Sequence, residues 1–185
     1  LDADADTTIH VSTDDQIDFK VAGSDKLVIS STSHLVTTTA GTNNFVLGLN
    51  AGNSIQSGGN YNVALGDEAG TALTTGDMNT LIGFSAGDAL NTPASNTVVG
   101  AYALTADTKG ARSVAIGTGA LETQNFTSDT DAYNTAVGFQ AGNDITTGQF
   151  NTLLGSLSGD AYTDGDGNTA LGYLALSTDT RGRLN

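Results

Sequence analysis

The chain is 185 residues long, with 24 glycines, one proline, no cysteine and no tryptophan, and 20 acidic against 6 basic residues give it a net charge of −14. That balance excludes a nucleic-acid surface, which relies on clustered Lys and Arg, and makes an anionic membrane a poor electrostatic target. Hydrophobic residues at 38% exclude a disordered acidic tail, the missing Gly-X-Y period excludes collagen, and without cysteine no disulfide can hold the fold.

The opening LDADADTTIH is acidic and lacks the basic and apolar regions of a signal peptide. No apolar run approaches the ~18 residues of a transmembrane helix, so membrane insertion is not expected. The chain starts on Leu1 and is expected to be an excerpt of something longer. Residues 1–42 hold three strand-like pieces, Thr8–Ser12, Ile17–Ala22 and Lys26–Ser30, separated by Asp, Gly and Ser. They predict a β-rich connector or cap. Both histidines, His10 and His34, lie in it among Ser, Thr and Asp, a setting read as solvated histidine and not as a catalytic base.

From residue 43 to residue 185 the chain repeats. Gly48, Gly66, Gly83, Gly100, Gly117, Gly138, Gly155 and Gly172 form one column, at spacings of 18, 17, 17, 17, 21, 17 and 17. Four residues before each stands Asn44, Asn62, Asn79, Asn96, Ser113, Asn134, Asn151 or Asn168, and three after it an Ala, or Ser158 in the seventh copy. Gly, Asn, Thr and β-branched residues at fixed places are poor helix material, and a unit this short leaves no room for a helix pair. The period therefore predicts an all-β fold: a parallel β-solenoid, or β-roll, of about eight coils of 17 residues. Eight coils stacked at about 4.8 Å would span roughly 38 Å. Asn185 stands 17 residues after Asn168, so a ninth repeat is expected to follow.

Within each coil the residue before the column glycine is a large aliphatic, from Leu47 to Leu171. The residue two earlier, mostly Thr or Val, shares its face, and the residue between them points the other way yet is also apolar. A strand apolar on both faces is covered on both, so one face fills the coil and the other meets a neighbour. The threonines are expected inside with the large aliphatics, which counts against the exposed threonine plane of an ice-binding solenoid. Winding of identical chains into a homotrimer is the simplest way to cover the other face. The Asn column is expected to form an amide ladder along the axis.

SVAIGTGAL, NTAVGFQAG and NTALGYLAL resemble the head repeats of YadA-like trimeric autotransporter adhesins, and still more closely the repeats of bacteriophage tail-fibre proteins. The resemblance covers residues 43–185, and TDDQIDFKVAGSDKLVIS resembles connector segments of phage fibres. For the adhesin heads it implies a left-handed, trimerised β-roll with a role in adhesion. Those head repeats are shorter than 17 residues, and the shared motif is scaffold, so no binding residue carries over.

The chemistry of an enzyme is hard to place on this chain. There is no G-x-S-x-G and no phosphate-binding loop, and the glycines belong to structural columns. A glycosidase needs two carboxylates, for which Asp67, Glu68, Asp88, Glu122, Asp129 and Asp131 are available, but nothing in the sequence pairs them. Asp164 and Asp166, in DGDGN, are weak candidates for calcium because they lack the downstream Glu of a calcium loop; no other cofactor is expected. The fifth repeat carries four extra residues within Glu122–Tyr133, and insertions in repeat arrays map to surface loops. There Asn125, Phe126 and Tyr133 are weak candidates for receptor contact, against a tolerated bulge. The sequence thus points to a non-enzymatic segment of a phage tail fibre that attaches to a host-cell glycan or protein, directly or through a distal tip. A bacterial surface adhesin head is the alternative, and a polysaccharide-cutting fibre comes third.

Overall fold

The computed structural model describes the backbone of four strands within residues 8–37, then residues 39–178 and Gly182. The four strands are β1 (Thr8–Val11), β2 (Ile17–Val21), β3 (Ser24–Ile29) and β4 (Leu35–Thr37). They pair in chain order as an antiparallel meander, with an irregularity in the β2–β3 register at Phe19/Lys20. Three of them match the strand-like pieces of the sequence to within two residues; β4 has no counterpart among those pieces. The backbone of β4 lies next to the first solenoid strand.

The solenoid begins there. Its strands are β5 (Phe45–Leu47), β6 (Val63–Leu65), β7 (Thr80–Ile82), β8 (Thr97–Val99), β9 (Gly110–Ala111), β10 (Val114–Ile116), β11 (Thr130–Asp131), β12 (Thr135–Val137), β13 (Thr152–Leu154) and β14 (Thr169–Leu171). Eight of them stack in one parallel sheet in the order β5, β6, β7, β8, β10, β12, β13, β14, in unbroken register from Phe45↔Val63 to Leu154↔Leu171. Eight rungs make seven full turns between the first and the last. β9 and β11 form a second, two-stranded parallel sheet that exists only where the insertion is. Among the described residues there is no helix, and so none long and apolar enough to cross a membrane.

Every coil turns at the same places because the backbone is bent there in the same way. Five residues before the column glycine, and again two after it, the backbone takes positive φ, and apart from Gly119 and Gly167 the residue there bears a side chain, as at Met78 (57°) and Ser85 (50°). This left-handed conformation is costly for such residues, and it persists because the preceding coil holds it. The N–H of Met78 donates to the Asn60 carbonyl at 2.9 Å, and that of Ser85 to the Asp67 carbonyl at 3.0 Å. The column glycines sit where coils touch most closely. A Cβ on Gly83, at φ +134°, would lie 2.7 Å from the Gly100 carbonyl, too close for any side chain.

The interior reverses the expected faces. The middle residue of each strand points inward: Ala64, Leu81, Val98, Ala115, Ala136 and Leu153 are fully buried. The threonines and large aliphatics on either side of it face outward, where Leu171 is 73% exposed and even mid-stack Ile116 is 36% exposed. The coil is too thin to take two large side chains from one strand, so the row that alternates with them goes in. A column of alanines three residues after the glycine and a third column seven after it complete the core. The outward threonines remove the ground on which an exposed threonine array was discounted. Protruding Tyr61, Met78, Phe84 and Phe139 flank them, however, so the face is not a flat threonine plane.

Candidate functional site

The Asn column forms the ladder expected of it. Asn62 donates its N–H (2.8 Å) and its Nδ2 (3.1 Å) to the Asn44 Oδ1, and Asn79 does the same to Asn62. Each Nδ2 also reaches a turn carbonyl in its own coil, as Asn62 to Gly76 at 2.8 Å and Asn79 to Pro93 at 2.9 Å. These amides are almost completely buried, so the ladder satisfies groups that water cannot reach.

The ladder changes character at the fifth coil, where Ser113 replaces Asn. Among the described residues the third core column holds Ile55, Leu73, Leu90, Ile145 and Tyr162, but Asp107 and Gln124 in the coil before the insertion and the coil that carries it, both fully buried. Gln124 Nε2 donates to Asp107 Oδ2 (2.5 Å) and to Ser113 Oγ (3.2 Å), and its Oε1 accepts the Nδ2 of Asn134 (2.8 Å). Gln124 thus carries the ladder across the gap. Asp107 Oδ1 accepts the N–H groups of Gly110 (2.9 Å), Phe126 (3.1 Å) and Lys109 (3.2 Å), tying the turn of one coil to the start of the insertion in the next. Burial raises the Asp107 carboxyl above its usual value, against these donors, which lower it.

The sequence carries a signal for this exchange that the repeat consensus hid. Coils with Gly four after the column glycine have a large hydrophobe in the third column (AGTAL, AGDAL), whereas ALTAD, ALETQ and, in the eighth repeat, ALSTD have Leu first and a polar residue after. Leu104 and Leu121 are fully buried, replacing from one position the volume lost at the other.

Outside the core, the insertion folds back across its neighbours. Thr130 and Asp131 pair with Gly110 and Ala111. Asp131 forms an ion pair with Arg112, Lys109 Nζ lies 3.7 Å from Asp129, and the Thr92 hydroxyl donates to Asp129 at 3.5 Å. Between these arms runs a groove of about 340 Å³. Neither Arg112 nor Tyr133 lines the groove, but both reach Asp131, which does: Arg112 through the ion pair and the Tyr133 hydroxyl at 3.5 Å. Arg112 lies 5.8 Å from the Tyr133 ring centre, and Tyr133 stacks on Phe150 at 5.8 Å and 16°.

Of the receptor candidates, Tyr133 stands exposed beside Asp131, and Asn125 is exposed with its Oδ1 3.4 Å from the Thr108 hydroxyl. Phe126 is 5% exposed and sits against the turn at Gly110, where it anchors the loop. Asp164 and Asp166 do not converge with a third ligand. Asp166 Oδ1 accepts the Gln149 N–H at 2.8 Å, Asp164 Oδ1 the Thr163 hydroxyl at 3.3 Å, and among the described residues no three His, Cys, Asp or Glu side chains gather.

Most of the candidate glycosidase carboxylates serve as ties within the stack. Asp88 accepts from Thr105 (2.6 Å), Glu122 from Asn143 (2.9 Å) and Glu68 from Ser85 (3.2 Å), while Asp129 and Asp131 face basic partners. His10 lies in β1 with its side chain outside the described residues, and His34 lies outside them altogether. Comparison with family models, with curated proteins and with solved structures returned no match for this chain.

Proposed function

We propose that this chain is a rigid, non-catalytic segment of an extracellular attachment fibre, self-associated as a homotrimer, with a phage tail fibre as its setting. The observation that carries the reading is the outer face of the eight-stranded sheet. No charged residue stands in its two outward strand rows, although the chain as a whole is strongly acidic. Leu47, Ile116, Leu154 and Leu171 are exposed along it, bordered by Phe84, Phe139 and Tyr173. Counting about 4.8 Å per strand and 3.3 Å per residue, five residue rows give a flat area of roughly 600 Å². That is at the top of what monomers leave exposed, and relief from the side chains brings it near the ~800 Å² per partner of a stable interface. A second copy supplies equally uncharged strand rows, so acidic chains can meet along them with Asp67, in the column of Phe84 and Phe139, as the one carboxylate at that border.

A bacterial adhesin head would use the same scaffold on an outer cell surface. In either setting the repeats supply reach and stiffness, since each coil is hydrogen-bonded to the next around most of its circumference. Light scattering over a concentration series tests the association. The expected mass is three times 18.6 kDa, and the double variant Val99→Glu/Ile116→Glu is expected to fall to one chain while keeping its β-sheet circular dichroism. A wild-type monomer at all concentrations would overturn the fibre reading.

A further inference from the structure

We propose that the groove between the insertion and the two preceding coils is a binding site for a neutral, hydroxyl-rich ligand, a glycan. The proposal rests on the attachment reading only for its biological setting; its chemistry comes from the groove. Between residues 39 and 178 the sequence has just two basic residues: Lys109, which lines this groove, and Arg112, which is paired with the groove residue Asp131. Each is matched with a carboxylate of the insertion, Asp129 and Asp131. These pairs are exposed or half-exposed, so they add little to stability, and their placement calls for another use.

Paired charges select among ligands. An anionic ligand meets Asp129 and Asp131, a cationic one meets Lys109 and Arg112, and the acidic chain repels polyanions at longer range. A neutral polyol meets neither penalty. Its neighbouring hydroxyls can donate to a carboxylate and accept from an ammonium or guanidinium, which makes the stronger, charge-assisted kind of hydrogen bond. The hydroxyls of Thr92 and Thr130 add further donors and acceptors on the groove wall.

A sugar ring also has an apolar face, and the groove has an apolar partner for it. Tyr133 stands exposed beside the groove residue Asp131, its ring held by Phe150 on one side and Arg112 on another. A ring held in place loses little freedom on binding. The backbone turns a corner at Tyr133, whose φ is 50°. The groove lies before that corner and the apolar sheet face after it. Ligand binding and self-association therefore use adjoining faces of the coil.

The wild-type chain, labelled at its N-terminal amine so that Lys109 stays free, is applied to an array of neutral and acidic oligosaccharides, and the strongest hit is titrated by calorimetry. Asp129→Ala and Tyr133→Ala are each expected to weaken that hit at least ten-fold, with the melting temperature held for Asp129→Ala and lowered by no more than about 5 °C for Tyr133→Ala, which loses its stacking on Phe150. No saccharide bound by the wild type overturns the proposal. So does a preference for acidic over neutral sugars, or undiminished binding in both variants. The solution mass separates this result from the fibre reading: a monomer that binds a neutral glycan spares the groove and sinks the fibre, and a trimer that binds none does the reverse.

Discussion

Replacing Asn79 by alanine cuts the amide ladder at mid-stack. Asn79 is 1% exposed; its Oδ1 accepts the Asn96 N–H at 3.0 Å, and its Nδ2 donates to the Pro93 carbonyl at 2.9 Å. Alanine leaves that N–H and that carbonyl buried and without these partners. Each such orphan costs about 1–3 kcal/mol, so the pair costs about 2–6 kcal/mol. Against a total stability of roughly 5–15 kcal/mol this is severe. At about 3 °C per kcal/mol for a chain of this size, the melting midpoint falls by about 6–18 °C. Asn53→Ala is the control, because Asn53 is exposed and outside the ladder; it should change stability by no more than ~0.5 kcal/mol. Denaturant unfolding followed by circular dichroism measures both, and amide hydrogen exchange at Asn96 shows whether the loss is where the ladder was cut. Equal stability of the two variants, with Asn96 still protected, would refute the view that the ladder holds the coils in register.

Gly83→Ala forces a Cβ into the 2.7 Å gap to the Gly100 carbonyl at a φ that alanine resists; it should cost about 3 kcal/mol or more and broaden the melting transition. Asp107 makes stability depend on pH. Burial raises its folded pKa above 3.8, so the native state keeps a proton that the unfolded chain has released. Its stabilising contribution is full below the unfolded pKa and declines as pH rises through the folded one. Asp107→Asn has no proton to lose, so in urea titrations the variant should gain on the wild type as pH climbs away from 3.8, and parallel pH profiles would exclude this account.

The period of the glycine and asparagine columns was enough to establish a stack of β coils, because only a repeating backbone geometry places Gly and Asn at the same points in every coil. The insertion was legible for the same reason, as a break in that period. The inward face was not. Thr80, Leu81 and Ile82 are all compatible with a core, and alternation alone cannot say which row is inside. That was decided by the cross-section of the closed coil, which admits Leu81 and leaves Thr80 and Ile82 outside. The Asp107–Gln124 pair was half legible, as the exchange of AG-x-x-[LI] for AL-x-x-[DQ], but its meaning depends on contacts between coils. The groove was not legible at all. Lys109, Arg112, Asp129 and Asp131 look like scattered surface charges along the chain, and they meet only because the insertion folds back to pair β11 with β9. Regular hydrogen bonding between coils leaves its mark on every repeat, whereas a site built once, where the repeat breaks, exists only in three dimensions.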